Sequence, residues 1–212
     1  MTPSVALQRG LDELALPLPE SARDQLLRYV ELLAKWNKAY NLSAIRNREE
    51  MVSHHLLDSL AVVPHLPMRN ERPALADAGS GAGLPGIPIA LARPGWRVTL
   101  VDSNNKKTAF LRQAAIELKL GNVEVHEGRI EQWHPAEKFA VVVSRAFAEL
   151  AAFVAACRHL LAPDGVLAAM KGRDPDAELA RTPQACGCAP PIRLRVPLLQ
   201  AQRHLVLCRP ES

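Results

Sequence analysis

The sequence predicts an α/β protein: a mostly parallel sheet with a closing antiparallel strand and helices on both faces, preceded by a helical N-terminal extension. Three observations carry this. Up to residue 72 the apolar residues recur at helical spacing. From residue 73 short apolar runs alternate with helical patterns, which is the signature of a parallel sheet with crossover helices. Directly after the first of those runs, four of the chain's 11 glycines, Gly79, Gly81, Gly83 and Gly86, crowd into one turn. The expected organisation is an N-terminal extension over 1–72 and an α/β domain over 73–212.

In the extension, "SARDQLLRYVELLAKWNKAY" places Leu26, Leu27, Val30, Leu33, Ala34 and Trp36 on one helix face, with Ser21 as the expected N-cap. "NLSAIRN" is polar and turn-like. "REEMVSHHLLDSLAVVPHL" reads as a second amphipathic helix ending near Pro64. In the α/β domain, "ALADAG" is the first strand and "IPIALAR" the helix after the glycine turn. "RVTLVDS" is a strand by its β-branched content, and "KKTAFLRQAAIELKL" a helix that stops at Gly121. "NVEVHEG" and "FAVVVSRA" are strands, "ELAAFVAACRHLL" a helix that stops before Pro163, and "GVLAAMKG" a further strand. "IRLRVPL" and "QRHLVLCRP" form the closing antiparallel pair.

Composition bounds the function. At 212 residues, 48% hydrophobic and 23% charged, the chain suits one soluble domain with an appendage. No apolar run reaches the roughly 18 residues of a membrane span, and no signal peptide opens the sequence. The expected location is therefore cytoplasmic, with Cys157, Cys186, Cys188 and Cys208 as free thiols. The net charge of +4 and pI near 9.0 suit a nucleic-acid partner and a slightly basic enzyme about equally. An aromatic content of 4% argues against RNA recognition by a platform of stacking rings.

A glycine-rich turn after the first strand of such a sheet lets a ligand approach the backbone at the carboxyl ends of the strands. "GAGLPG" formally matches the dinucleotide pattern G-x-G-x-x-G, but the strand ends ahead of that match, and Pro85 and Pro88 stand where backbone donors are needed. The better reading is Asp77-x-Gly79-x-Gly81-x-Gly83, which resembles the first motif of S-adenosylmethionine-dependent methyltransferases. Asp102, closing the next strand, is then the acid for the ribose hydroxyls; its alternative reading is a helix N-cap. Arg145 ends the apolar strand "AVVV" with its tip over the cleft, or else is a surface cation.

The stretches "WNKAYNLSAI", "HHLLDSL", "DAGSGAGLPGIPIAL", "VDSNNKKTAFLR", "VSRAFA", "MKG" and "RHLV" together resemble the small-subunit ribosomal RNA guanine-N7 methyltransferases, the family once called glucose-inhibited division protein B. The resemblance spans roughly residues 20–209; "CGCAPP" and the proline-rich surroundings of residue 73 depart from it without touching a motif. It implies a Rossmann-like methyltransferase fold and transfer of a methyl group from S-adenosylmethionine to N7 of guanine 527 of 16S rRNA, within the small subunit or a precursor particle. S-adenosylhomocysteine would be the product, with neither metal nor membrane involved. It also implies that Gly79 and Leu84 line the methionine end of the cofactor, that Asp102 faces the ribose and that Ile130 and Glu131 border the adenine. Arg145 would stand where cofactor and base meet.

What the sequence lacks fits that chemistry. Guanine N7 attacks through a neutral lone pair, so no general base is required and catalysis is mainly positioning and electrostatics. Pyrimidine C5 methylation needs a nucleophilic thiol, and no cysteine lies at a plausible active-site strand tip. The Asn/Asp-Pro-Pro-aromatic loop of amino-group methylation is replaced by "SRAF". His54, His55 and Asp58 make a weak metal candidate, as do Cys186, Cys188, His204 and Cys208, whose spacing matches no standard zinc pattern. Among the cations, Arg46, Arg48, Lys106, Arg112 and Lys171 are the expected RNA-binding set, with Lys107 and Arg173 beside them. The competing readings are a small-metabolite methyltransferase, a dinucleotide oxidoreductase and a non-catalytic RNA-binding protein.

Overall fold

The computed structural model describes residues 1–67, 73–145, 147, 149–172 and 174–211. The expected end of the extension at residue 72, Arg173, and Ala146 and Ala148 of the "SRAFA" stretch lie outside these residues. Seven strands form one sheet in the order β3-β2-β1-β4-β5-β7-β6. β1 (Ala74–Ala78), β2 (Arg97–Asp102), β3 (Val123–Glu127), β4 (Phe139–Ser144) and β5 (Leu161–Lys171) run parallel. β6 (Ile192–Leu194) and β7 (Arg203–Cys208) are the closing antiparallel pair, with β7 between β5 and β6. The strand order reverses between β1 and β4, so the carboxyl ends of β1, β2 and β4 flank a switch point where ligands bind in open α/β sheets.

Four helices cover the extension: α1 (Pro3–Glu13), α2 (Glu20–Tyr40), α3 (Arg48–Met51) and α4 (Asp58–Leu60). α2 starts one residue before the expected Ser21 cap. The Pro19 carbonyl already accepts from the Ala22 and Arg23 N–H groups, and Glu20 places its carboxylate at the positive end of the helix. Asn41 then ends α2 in the left-handed region at φ 49°. The second amphipathic segment is not one helix. α3 passes into a π-helical stretch over Val52–Leu57, then α4, then a 3-10 turn over Val63–His65 that contains Pro64.

In the α/β domain, α5 (Gly86–Ala92), α6 (Asn105–Glu117), α7 (Leu150–Cys157) and α8 (Asp176–Leu179) complete the helices among the described residues. α6 is capped by Asn104, whose side chain accepts from the Lys106 and Lys107 N–H groups; Asp102 is not its cap. The segment before Pro163 also differs from expectation. α7 gives way to a 3-10 turn, and β5 already pairs with β4 at Leu161, with a register shift before Val166. Pro163 falls in that irregular stretch, where a missing N–H costs no ladder bond.

One core cluster joins Leu7, Leu26, Tyr29, Leu33, Leu56 and Leu60 of the extension to Leu75, Ile87, Leu100 and Phe110 of the α/β domain. The other face of the sheet has its own cluster, with Val142, Phe153 and Leu167. The extension thus covers one face of the sheet rather than hanging from it. No helix among the described residues is long and apolar enough to cross a membrane. The expectation of four free thiols is corrected in part. Cys188 and Cys208 face each other across an antiparallel bridge and are joined in a disulfide, while Cys157 and Cys186 are free and buried.

Candidate active site

The glycine turn between β1 and α5 is held by backbone and by two acids. Gly79 and Ser80 donate from N–H to the Val101 carbonyl at 2.9 Å each, which ties the turn to β2. Gly79, Gly81 and Gly83 all take positive φ, a conformation that side chains oppose. A Cβ at Gly86 would run into Leu100 and Asp77, whereas one at Gly81 would meet nothing nearer than the Gly79 carbonyl oxygen at 3.9 Å. The turn is therefore packed tightly on its inner side and open at Gly81.

The two acids occupy different places. Asp77 is fully buried beneath the turn; its Oδ2 accepts from Gly86 N–H at 2.9 Å, and its Oδ1 has no hydrogen-bond partner among the described residues. Burial pushes its carboxyl up to about 7, against the pull of the Gly86 N–H. Asp77 thus touches the first residue of α5 rather than the open side of the turn. Asp102 stands at the end of β2 with Oδ2 accepting from Gly81 N–H and Oδ1 from Asn104 N–H, both at 2.9 Å, and Lys107 at 3.7 Å. Each carboxylate oxygen keeps a lone pair for a further donor. The bare backbone at Gly81, with a carboxylate beside it, fits a nucleoside whose ribose donates hydroxyls. Leu84 and Ile130 are buried and Glu131 is exposed in the turn after β3.

Arg145 follows the last residue of β4, where Ser144 pins the strand end to β1 by donating from Oγ to the Ala78 carbonyl at 2.7 Å. The guanidinium does not hang free. Its Nη1 donates to Asp58 Oδ2 at 3.2 Å and to the His54 carbonyl at 3.3 Å. The π-helical stretch makes this possible. Asp58 N–H bonds back to the Ser53 and His55 carbonyls and bypasses that of His54, which faces the arginine. Asp58, 1% exposed, accepts on its other oxygen from Arg203 Nε at 2.8 Å. One buried carboxylate therefore carries two guanidinium groups.

These groups line a cleft of about 360 Å³ together with Ile45, His55, Met170 and Lys171. His55 Nε2 lies 2.7 Å from Ser43 Oγ, and burial lowers its pKa to about 4, so the ring is neutral at physiological pH. Asn37 binds the Ser43 and Ile45 carbonyls and the Ser43 N–H, which fixes the loop that presents Ile45. From the far side, Tyr29 of α2 donates to the Ala82 carbonyl at 2.6 Å, so the extension also grips the glycine turn.

The expected RNA-contacting cations separate into two groups. Arg46, Arg48 and Lys106 are exposed. Lys171 is 9% exposed and pairs with Glu178 at 2.9 Å, and Arg112 pairs with Glu127 at 3.0 Å. The sequence offers Asp58 only as part of a weak metal candidate, not as a partner of Arg145, and does not single out Arg203; each sits in a stretch that carries the resemblance, "HHLLDSL" and "RHLV". Among the described residues no group of histidine, cysteine and acidic side chains could hold a metal ion.

The family model described as rRNA small subunit methyltransferase G matches residues 22–206. Proteins named Ribosomal RNA small subunit methyltransferase G from Burkholderia pseudomallei, Burkholderia mallei and Burkholderia thailandensis are each 52% identical to this chain over 94% of its length. The alignments cover 88–89% of theirs. Among solved structures, a precorrin-6y C5,15-methyltransferase from Geobacter metallireducens superposes with a TM-score of 0.57 at 14% identity, over 73% of this chain and 87% of its own. A complex of DhpI with S-adenosylhomocysteine superposes with a TM-score of 0.56 at 20% identity, over 90% and 97%. At these identities the structural likeness speaks for the fold.

Proposed function

Since the chain belongs to the rRNA small subunit methyltransferase G family, we propose that it transfers the methyl group of S-adenosylmethionine to N7 of guanine 527 of 16S rRNA. The observation that supports this best is a paired arginine at the end of β4, the neighbour of β1, which runs into the open glycine turn. Gly79, Gly81, Gly83 and Leu84 line the cofactor's approach, Asp102 takes the ribose hydroxyls, and Ile130 with Glu131 borders the adenine. Asp77 contributes by holding α5 against the turn, from beneath. S-adenosylmethionine supplies an electrophilic methyl group and a leaving group that departs neutral.

The guanine gains positive charge as N7 is alkylated, so a bare cation against its imidazole ring would oppose the reaction. Arg145 is instead neutralised in part by Asp58, and it acts by donating to the guanine O6 edge or to a phosphate. No residue near the cleft has to accept a proton. The cytoplasm is where such a substrate is met, and the exposed Arg46, Arg48 and Lys106 are placed to meet RNA phosphates. The test is transfer of isotope-labelled methyl to unmodified small subunits, with calorimetry of S-adenosylmethionine on wild type and Asp102→Ala. A labelled guanine and weakened binding by the variant are expected. Binding of NAD instead, or equal binding by the variant, would refute the assignment.

A further inference from the structure

At the C-terminal end of α2 stands an exposed aromatic ring that the core does not absorb. Tyr40 stacks on Trp36 one helical turn before it, with ring centroids 5.2 Å apart and planes 29° from parallel. Trp36 packs in turn against the buried Phe110 of α6 at 5.6 Å. Tyr40 is thus the outermost of three rings, stiffened from behind and 46% exposed. α6, on which the stack rests, begins beside Asp102, and five residues beyond Tyr40 the chain reaches Ile45 in the wall of the Arg145 cleft. The ring thus stands at the end of α2 that leads into the loop carrying Ile45 to the Arg145 cleft. Lys38, Arg46, Arg48 and Lys106 are exposed on the elements around it, against Glu49 and Glu50.

A guanine that enters a cleft at the strand ends must leave its own stack, and its neighbour then loses a stacking partner. A rigid exposed ring beside cations offers that neighbour a replacement face and holds its phosphate. We propose that Tyr40 is a stacking platform for one unpaired nucleotide adjacent to the target guanine, with the surrounding cations on its backbone. The low aromatic content argues against a multi-ring platform, and a single ring serves a single base. The proposal rests on the RNA-methyltransferase reading above.

The test is ultraviolet crosslinking of the wild-type protein to small subunits from a strain lacking the gene, with mass spectrometry of the adducted peptides, alongside kinetics of variants. A nucleotide adduct on Tyr40 is expected. Tyr40→Ala should raise KM for subunits about five- to a hundredfold, with S-adenosylmethionine affinity unchanged as the check on folding, and Tyr40→Phe and Tyr40→Trp should restore it. Adducts elsewhere but not on Tyr40, a crosslink from Tyr40 to a ribosomal protein, or an unchanged KM for Tyr40→Ala would overturn it. A Tyr40 adduct without any methyl transfer would instead sink the reading of the function and leave the platform standing.

Discussion

Arg145 works in the company of Asp58. A lysine at 145 has no planar fork to satisfy Asp58, the His54 carbonyl and a substrate edge together. Arg145→Lys should therefore slow single-turnover methyl transfer by about ten- to a hundredfold, equivalent to roughly 1–3 kcal/mol, while cofactor binding largely survives. Asp58→Ala should act on stability as well. It leaves two guanidinium groups facing each other, and removing one partner of a buried pair costs about 3–5 kcal/mol, so a lower Tm is expected in thermal denaturation. Asp77 gives a pH signature. Its folded pKa of about 7 lies above that of the unfolded chain, so the folded state holds the extra proton between about pH 4 and 7. Its contribution is present below pH 4 and is lost as pH rises through 7. Asp77→Asn cannot titrate, so its stability relative to wild type should climb across that window and level off above it. A difference that is flat with pH in denaturant titrations would contradict this burial. His55, with its folded pKa lowered to about 4, acts oppositely and is common to both proteins.

At the scale of elements, the β–α alternation was legible because each strand and crossover helix carries its own local pattern, and the closing pair was legible for the same reason. The segment from Arg48 to His65 was not. Its apolar spacing suits one helix, and the π-helical break becomes visible only with Arg145, just after β4, docked on the freed His54 carbonyl. The Asp58 bridge was hidden in the same way, since its partners stand 87 and 145 positions away in sequence. The disulfide was missed because Cys188 lies outside any strand-like run and meets Cys208 only once β7 is in place. The grip of α2 on the glycine turn rests on one hydroxyl. Tyr29→Phe should keep the fold, lose roughly 0.5–1.5 kcal/mol of stability and weaken S-adenosylmethionine binding by calorimetry. Unchanged cofactor affinity would show that the turn holds its shape without α2.

For the molecule as a whole, the N-terminal extension shares in the Arg145 cleft. Ile45 and the π-helical stretch with Asp58 supply one wall, and Arg145, Met170 and Lys171 with Arg203 of β7 supply the other. With Arg46, Arg48 and Lys106 exposed, RNA association should weaken steeply with salt, as a log-linear fall between low and physiological ionic strength; affinity that stays flat would remove the electrostatic footprint. The proposed reaction is methylation of one guanine of the small-subunit RNA at N7. Mass mapping of 16S rRNA from cells with the gene, without it, and with Arg145→Lys in its place tests that most directly. The expected result is a single methylated guanine, guanine 527, present with the wild-type gene, absent from the deletion and strongly reduced in the variant. An identical map in all three strains, or a lost methyl group on another base or atom, would contradict it.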